Sequence, residues 1–437
     1  MKKMTGKKKC AGILALALAG AVALTACGEQ ERDSDRGEER QVVQQEIDQE
    51  QEEALQEEID QELEEYNAET IEKGYLDYSM ELFRGSVEEG TNSMVSPTSV
   101  MMALELVAAG AEGETQEQIT GLFCEGVSQA QMEHYCKDLM ERYESSEDVE
   151  LHLANSIWIN DMIAERMEED YLVRSAYIFD AEASILPFDE EATELINEWC
   201  DDNTDGMIPK LFDEIDPMAQ LYLINATAID APWQEPYEDH QVKEEIFTNA
   251  SGDEEEVKMM NEVGSDYFET EDAVGFLKYY EGYEYAFLTI LPEEGMTVDE
   301  YVAGLSGEKY QEFWDSRTGE YDVYTKLPEF TYDYELELND VLQDMGMTRA
   351  FEAGADFSGI ADADLYISRV LHKTFIEVGQ ERTRAAAVTA VEVCETAALE
   401  EPRETREVYL DRPFVYAIVE ADTGMPIFIG TVQSVNN

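Results

Sequence analysis

The sequence predicts a mixed α+β fold, built as one large domain over residues 72–437. Three observations lead there. Helical spacing is concentrated early in the chain and strand-type runs late, without the steady alternation of a parallel doubly wound sheet. The 437 residues are 44 % hydrophobic, enough to bury a sizeable core. The late runs "YAFLTILP" and "VYAIVEADTGMPIFIGTV" are continuous and apolar, and the second carries a hairpin signal at Asp422-Thr423-Gly424.

Residues 1–26 stand apart. Lys2, Lys3, Lys7, Lys8 and Lys9 form a basic start, Ile13 to Leu24 an apolar run too short for a comfortable membrane span, and "LTAC" closes the segment at Cys27. This resembles a bacterial lipoprotein signal peptide. Cys27 would then carry the lipid and hold the mature chain on the outer face of the cell membrane, retained there or shed. Residues 27–71 are rich in Gln and Glu. Val43, Ile47, Leu55, Ile59 and Leu63 recur at multiples of four, which suits one narrow stripe on an acidic helix. We read this as a partly helical stalk or linker.

Removal of the leader takes five of 29 basic residues and leaves 24 against 100 acidic ones, a net charge of −76. Such a field repels polyanions, so nucleic acid is excluded as a partner. Beyond Cys27 the mature chain holds Cys124, Cys136, Cys200 and Cys394, with no CxxC pair. A disulfide framework is not what holds it together, and a Cys124–Cys136 bridge is left open by the sequence.

Within the domain, "YLDYSMELFRG" has helical spacing, and "SPTSVMMALELVAAG" reads as a buried helix entered through a proline in its first turn. "QLYLINATAI" is a continuous apolar strand. "DDNTDG" matches half of a calcium loop, but the twelfth position is Phe212 rather than a bidentate Glu. We read it as a helix end with Gly206 as the left-handed cap. His134, His152, His240 and His372 show no zinc spacing, and Ser358 in "GADFSGI" is a turn residue rather than a nucleophile. No cofactor, metal site or catalytic constellation is predicted. The chain is therefore not read as an enzyme.

Taken in order, "NSMVSPTSVMMAL", "LANSIWIN", "INEWCDDNTDGMIPKL", "LYLINATAIDAPWQEPY", "VKMM", "ADFSGI", "LHKTFIEV" and "DRPFVYAI" resemble the serpin family of serine protease inhibitors, over essentially all of residues 72–437. The resemblance implies a large central sheet A with two further sheets, about nine helices, and an exposed reactive-centre loop near residues 380–405. It implies that Ser96, Ser99, Asn225 and His372 form a polar cluster where the central strands part, with Trp233 at the upper entry. It also implies a monomer whose partner is a serine protease, captured as a covalent acyl complex.

On residues alone, "VGQERTRAAAVTAVEVC" (378–394) suits either an alanine-rich surface helix or a strand. As a strand, Thr383, Ala385, Ala387, Thr389, Val391 and Val393 fall on one uncharged face, while Arg382, Arg384, Ala386 and Glu392 fall on the other. The family resemblance favours the strand, with Arg382, Thr383, Arg384, Ala385, Ala386 and Ala387 as the insertable hinge. Counting from Thr383 places the scissile bond between Thr396 and Ala397, give or take one residue. Small residues there suit an elastase-like or subtilisin-like target. Two departures stand out, since the family's usual Gly and acidic residue flanking the hinge Thr are replaced by Arg382 and Arg384. A non-inhibitory serpin acting as a surface binding protein is the alternative. A two-lobed solute-binding lipoprotein is disfavoured by the strand-rich C-terminal half.

Overall fold

The computed structural model describes residues 41–43, 51, 55, 68–124, 126–146, 149–383 and 403–436. Nine α-helices and three β-sheets make up the described residues, the mixed α+β class with three sheets that the sequence predicts.

Helix α1 (Ala68–Ser86) buries Ile71, Tyr75, Tyr78 and Leu82 at helical spacing and opens the globular part. Strand β2 (Ser93–Val95) leads into α2 (Pro97–Ala108), where Ser96 is the N-cap and Pro97 occupies the first turn. All but one of its residues are buried, so α2 is a core helix rather than an amphipathic one. Helices α3 (Gly113–Thr120), α4 (Gln129–Glu144), α5 (Glu169–Phe179) and α6 (Glu190–Asn203) follow. Later come α7 (Val298–Ala303), α8 (Gly307–Asp315) and α9 (Asn339–Asp344).

The largest sheet has seven strands in the order β1 (Gln41–Val43), β4 (Glu182–Leu186), β3 (Glu150–Asn160), β5 (Leu221–Pro232), β14 (Arg382–Thr383), β13 (Leu371–Val378) and β12 (Phe330–Glu337). The second runs β2, β17 (Pro426–Val432), β16 (Phe414–Glu420), β10 (Tyr285–Pro292), β9 (Ala273–Tyr279) and β8 (Tyr267–Glu269). The third runs β15 (Glu404–Tyr409), β11 (Tyr321–Pro328), β7 (Glu254–Gly264) and β6 (Val242–Thr248). In the second sheet β10, β16 and β17 are buried at every residue, which explains why their sequences run apolar without alternation. The hairpin between β16 and β17 turns at Gly424, whose φ of 75° favours glycine.

The seven-stranded sheet lies between two apolar layers. Its inner face joins the main core with α2, and its outer face is covered around Trp158, Leu186, Phe188, Ile196, Trp199, Ile224 and Ala226 by α6. Strand β13 alternates accordingly. His372, Thr374, Ile376 and Val378 are buried on the inner face, and the residues between them are half-buried.

Two readings change and one left open is settled. Gln41–Val43 falls in the segment read as a stalk, yet it is a strand paired antiparallel with β4, from Gln41 opposite Ile185 to Val43 opposite Ala183. An edge strand offers unpaired backbone groups that a local helical stripe gives no sign of. At the end of α6 the left-handed residue at the first position past the cap is Asp205, with Gly206 following it, also at positive φ, and donating its N–H to Asp201 O at 2.8 Å. Cys124, Cys136 and Cys200 are buried free thiols, so the Cys124–Cys136 bridge does not form. Ser358 donates to Asp356 Oδ1 at 2.7 Å in an exposed turn. Among the described residues no helix is long and apolar enough to cross a membrane, and no group of three or more His, Cys, Asp or Glu is placed to hold a metal.

Candidate functional site: a gap in the central sheet

Among the described residues, the ladder between strands β5 and β13 runs only through the two residues of β14. Arg382 pairs with Pro232 and Thr383 with Ala231 on one side, and Thr383 with Val378 on the other, all antiparallel. Among the described residues no ladder pairs β5 with β13 directly. Just beyond Thr383 a cavity of about 10 Å³ is lined by Ile229, Phe375, Ile376 and Glu377. Further down, a cavity of about 340 Å³ is lined by residues of both strands, including Asn225 and His372, and by Ser99 and Leu104 of α2. The two strands thus stand apart along a line that starts at the end of β14.

The mouth of this gap is tied down by a short turn. Gly379 N–H donates to Arg382 O at 3.0 Å, Trp233 N–H to Glu381 O at 3.0 Å, and Tyr237 N–H to Gln380 O at 3.0 Å. Trp233 is buried and stacks on Tyr280 with ring centroids 4.7 Å apart, and its Nε1–H donates to Gly379 O at 2.8 Å. Beneath them Lys278 donates to Glu262 at 2.7 Å and lies 4.0 Å from the Tyr237 ring centre. Burial pulls its ammonium below the ordinary lysine range, with Glu262 opposing. The two residues of β14 are sorted by face. Thr383 is 1 % exposed and its hydroxyl meets Tyr280 OH at 2.8 Å, whereas Arg382 turns to the outer face and pairs with Asp230 at 2.8 Å.

Halfway down, a chain of hydrogen bonds crosses the inner face. Ser96 N–H donates to His372 Nε2 at 3.0 Å, Ser96 Oγ accepts from Ser99 N–H at 3.2 Å, and Ser99 Oγ donates to Asn225 Oδ1 at 2.5 Å. Asn225 Nδ2 donates to Asn155 Oδ1 at 3.0 Å, and Asn155 Nδ2 to Phe179 O at 2.8 Å. Thr227 Oγ1 donates to Asn225 Oδ1 at 2.6 Å. Burial lowers His372 to a pKa of about 4, so the imidazole is neutral and its Nε2 is an acceptor. On the outer face Met207 and Ile208 pack on Ala228 of β5 and Phe375 of β13, bridging the gap. The segment they belong to is fastened by Lys373 Nζ, which donates to Lys210 O at 2.9 Å, and by Asn197 Oδ1, which accepts from Leu211 N–H at 2.7 Å and Phe212 N–H at 2.8 Å.

A central sheet whose middle strands are laddered together, among the described residues, only through the two residues of β14 is a geometry that comparison with known proteins can place. The family profile described as "Serpin (serine protease inhibitor)" matches residues 73–435. The chain belongs to the serpin family. This serpin is 30 % identical over 359 residues to a serpin-like protein of Methanosarcina acetivorans, covering 79 % of this chain and 82 % of that one. It is similar to the native state of tengpin, a thermophilic serpin, at a TM-score of 0.77 and 38 % identity, covering 84 % of this chain and 95 % of tengpin. Thyroxine-binding globulin in complex with thyroxine shares the fold at a TM-score of 0.73 and 22 % identity, covering 84 % and 99 % of the two chains.

Of the residues singled out in the sequence, the structure brings Ser96, Ser99, Asn225 and His372 into one hydrogen-bonded group and puts Trp233, Arg382 and Thr383 at the mouth. Arg384, Ala385, Ala386, Ala387, Thr396, Ala397 and Cys27 lie outside the described residues. The sequence reading missed Asn155, Thr227, Asp230, Tyr280, Lys278 and the pair Met207 and Ile208. Asn155 had a signal, since it sits mid-strand in "LANSIWIN" and opposes Asn225 in the ladder. The others meet their partners only through the tertiary fold.

Proposed function

We propose that this serpin inhibits serine proteases as a suicide substrate, its loop entering the gap between β5 and β13 after cleavage. The observation that carries this is the register of β14. Thr383 pairs with Ala231 and with Val378. Continued down the gap in that register, the chain brings Thr389, six residues on, opposite Asn225 and His372, each six residues back on its own strand. The uncharged face of the loop then lies on the core and its polar Thr meets the polar row, so the buried groups keep partners in both states.

The protease supplies the chemistry. Its serine attacks the carbonyl of Thr396, Ala397 leaves as the new amino terminus, and the acyl-enzyme is carried off as the strand inserts before water can release it. Small residues at the bond suit an elastase-like or subtilisin-like primary pocket. Met207 and Ile208 have to lift from Ala228 and Phe375 for the strand to pass. The lipoprotein-type leader supports a placement on the outer face of a cell membrane through Cys27.

Mixing the mature chain with an elastase-like protease tests the reading. The expected result is a complex that survives denaturing electrophoresis, with mass spectrometry finding the cut after Thr396. Cleavage of the loop without a complex would instead favour the binding-protein reading, a role that thyroxine-binding globulin shows this fold also serves.

A further inference from the structure

Lys278 lies on β9 of the second sheet and is the one buried lysine among the described residues, with 4 % of its side chain exposed. An ammonium leaves water at a tolerable cost only where its donors find partners. Here Nζ donates to Glu262 Oε2, on β7 of the third sheet, at 2.7 Å. It also donates to Glu235 O at 3.0 Å, three residues past the end of β5 in the first sheet. The same ammonium stands over the Tyr237 ring, 4.0 Å from its centre, and 5.5 Å from the centre of the Trp233 ring. One side chain therefore joins all three sheets.

The segment that Lys278 holds, residues 233–237, is the one that grips the turn between β13 and β14. Trp233 and Tyr237 donate their N–H groups to Glu381 O and Gln380 O, Trp233 Nε1–H donates to Gly379 O, and Gln380 Nε2–H donates back to Tyr237 O at 2.8 Å. The end of β9 meets the same segment through the backbone, with Gln234 N–H donating to Tyr279 O at 3.0 Å and Glu281 N–H to Pro232 O at 2.8 Å. The turn leads directly into Arg382 and Thr383, which pair with Pro232 and Ala231. An apolar side chain at position 278 could fill the space, but it would leave Glu262 and Glu235 O without this donor.

We infer that Lys278 is the positioning residue of β14: by fixing residues 233–237 it fixes the turn 379–381, and through that turn the register in which Arg382 and Thr383 meet β5 and β13. The staple itself is independent of the inhibitor reading, but its bearing on protease trapping rests on that reading. A slip of one residue would turn Arg382 inward and Thr383 outward, reversing the faces on which the rest of the loop depends.

Hydrogen exchange of the uncut protein, followed by mass spectrometry, reads the staple. Lys278→Met is expected to speed exchange about tenfold in peptides covering 233–237 and 379–383, and to leave β3 and β16 at the wild-type rate. Glu262→Gln, which keeps an acceptor but removes its charge, is expected to speed the same peptides about threefold, and the double variant to match Lys278→Met within about twofold, since the two side chains act as one pair. Thermal unfolding of each variant checks that it is folded. Mixed with the elastase-like protease, Lys278→Met is expected to consume several-fold more inhibitor per protease captured than wild type does. Exchange that is unchanged, or that rises uniformly across all three sheets, would overturn the staple. Local loosening with unchanged capture would overturn its part in trapping. Wild-type protein that captures no protease would bring down the inhibitor reading and leave the staple to be decided by exchange.

Discussion

His372 shows what one buried residue does for the sheet. Its Nε2 accepts the Ser96 N–H, and burial holds its pKa near 4 against an ordinary value of about 6.5. Between those values the unfolded chain binds a proton that the folded chain does not. The contribution to stability is therefore complete above about pH 6.5 and is lost as pH falls toward 4, by about 3 kcal/mol in all. Urea unfolding at pH 7.5 and 4.5 checks this, and the loss between them is expected to be about 2–3 kcal/mol smaller in His372→Gln than in wild type. At this scale the sequence was legible where a residue sat inside a long motif. Ser96, Ser99, Asn225 and His372 come from three segments, yet each is framed by strand or helix patterning that fixes its face. Asp230 and Tyr280 were not legible, because the first matters through Arg382, 152 residues away, and the second through Thr383, 103 residues away.

At the scale of elements the parity of the 382–393 segment carried real information. Its first two residues adopt the faces that a strand reading assigns, Thr383 inward on Tyr280 and Arg382 outward on Asp230. The cover over the gap was invisible by comparison. Met207 and Ile208 follow a helix end that local sequence identifies, but only the tertiary fold lays them across two strands. In the proposed mechanism that cover opposes insertion. Met207→Ala with Ile208→Ala is expected to lower the stability of the uncut protein by roughly 2–4 kcal/mol and to speed insertion after loop cleavage several-fold. Stopped-time thermal challenge of the cleaved protein reads the second effect. At 41–43 the free edge of β4 draws the backbone into a strand, while Gln51 and Leu55, further along the same segment, are helical.

At the scale of the whole molecule, 100 acidic against 29 basic residues give a formal charge of −71 over the full chain. Self-repulsion of that size weakens any compact state and is screened by salt. The unfolding temperature is expected to rise by several degrees between about 20 and about 300 mM sodium chloride, and a flat response would show that the charge is already compensated locally. The larger energetic consequence of the proposed function lies in the strand position between β5 and β13, of which the described residues fill only Arg382 and Thr383. About ten new strand hydrogen bonds at about 1 kcal/mol each would follow its filling. For a domain of this size that corresponds to a rise on the order of 10 °C or more in unfolding temperature. Calorimetry of the mature protein before and after a single cut between residues 384 and 402 is the most direct measurement. A rise of that order is the result the account predicts, and an unchanged unfolding temperature in fully cut protein would contradict it.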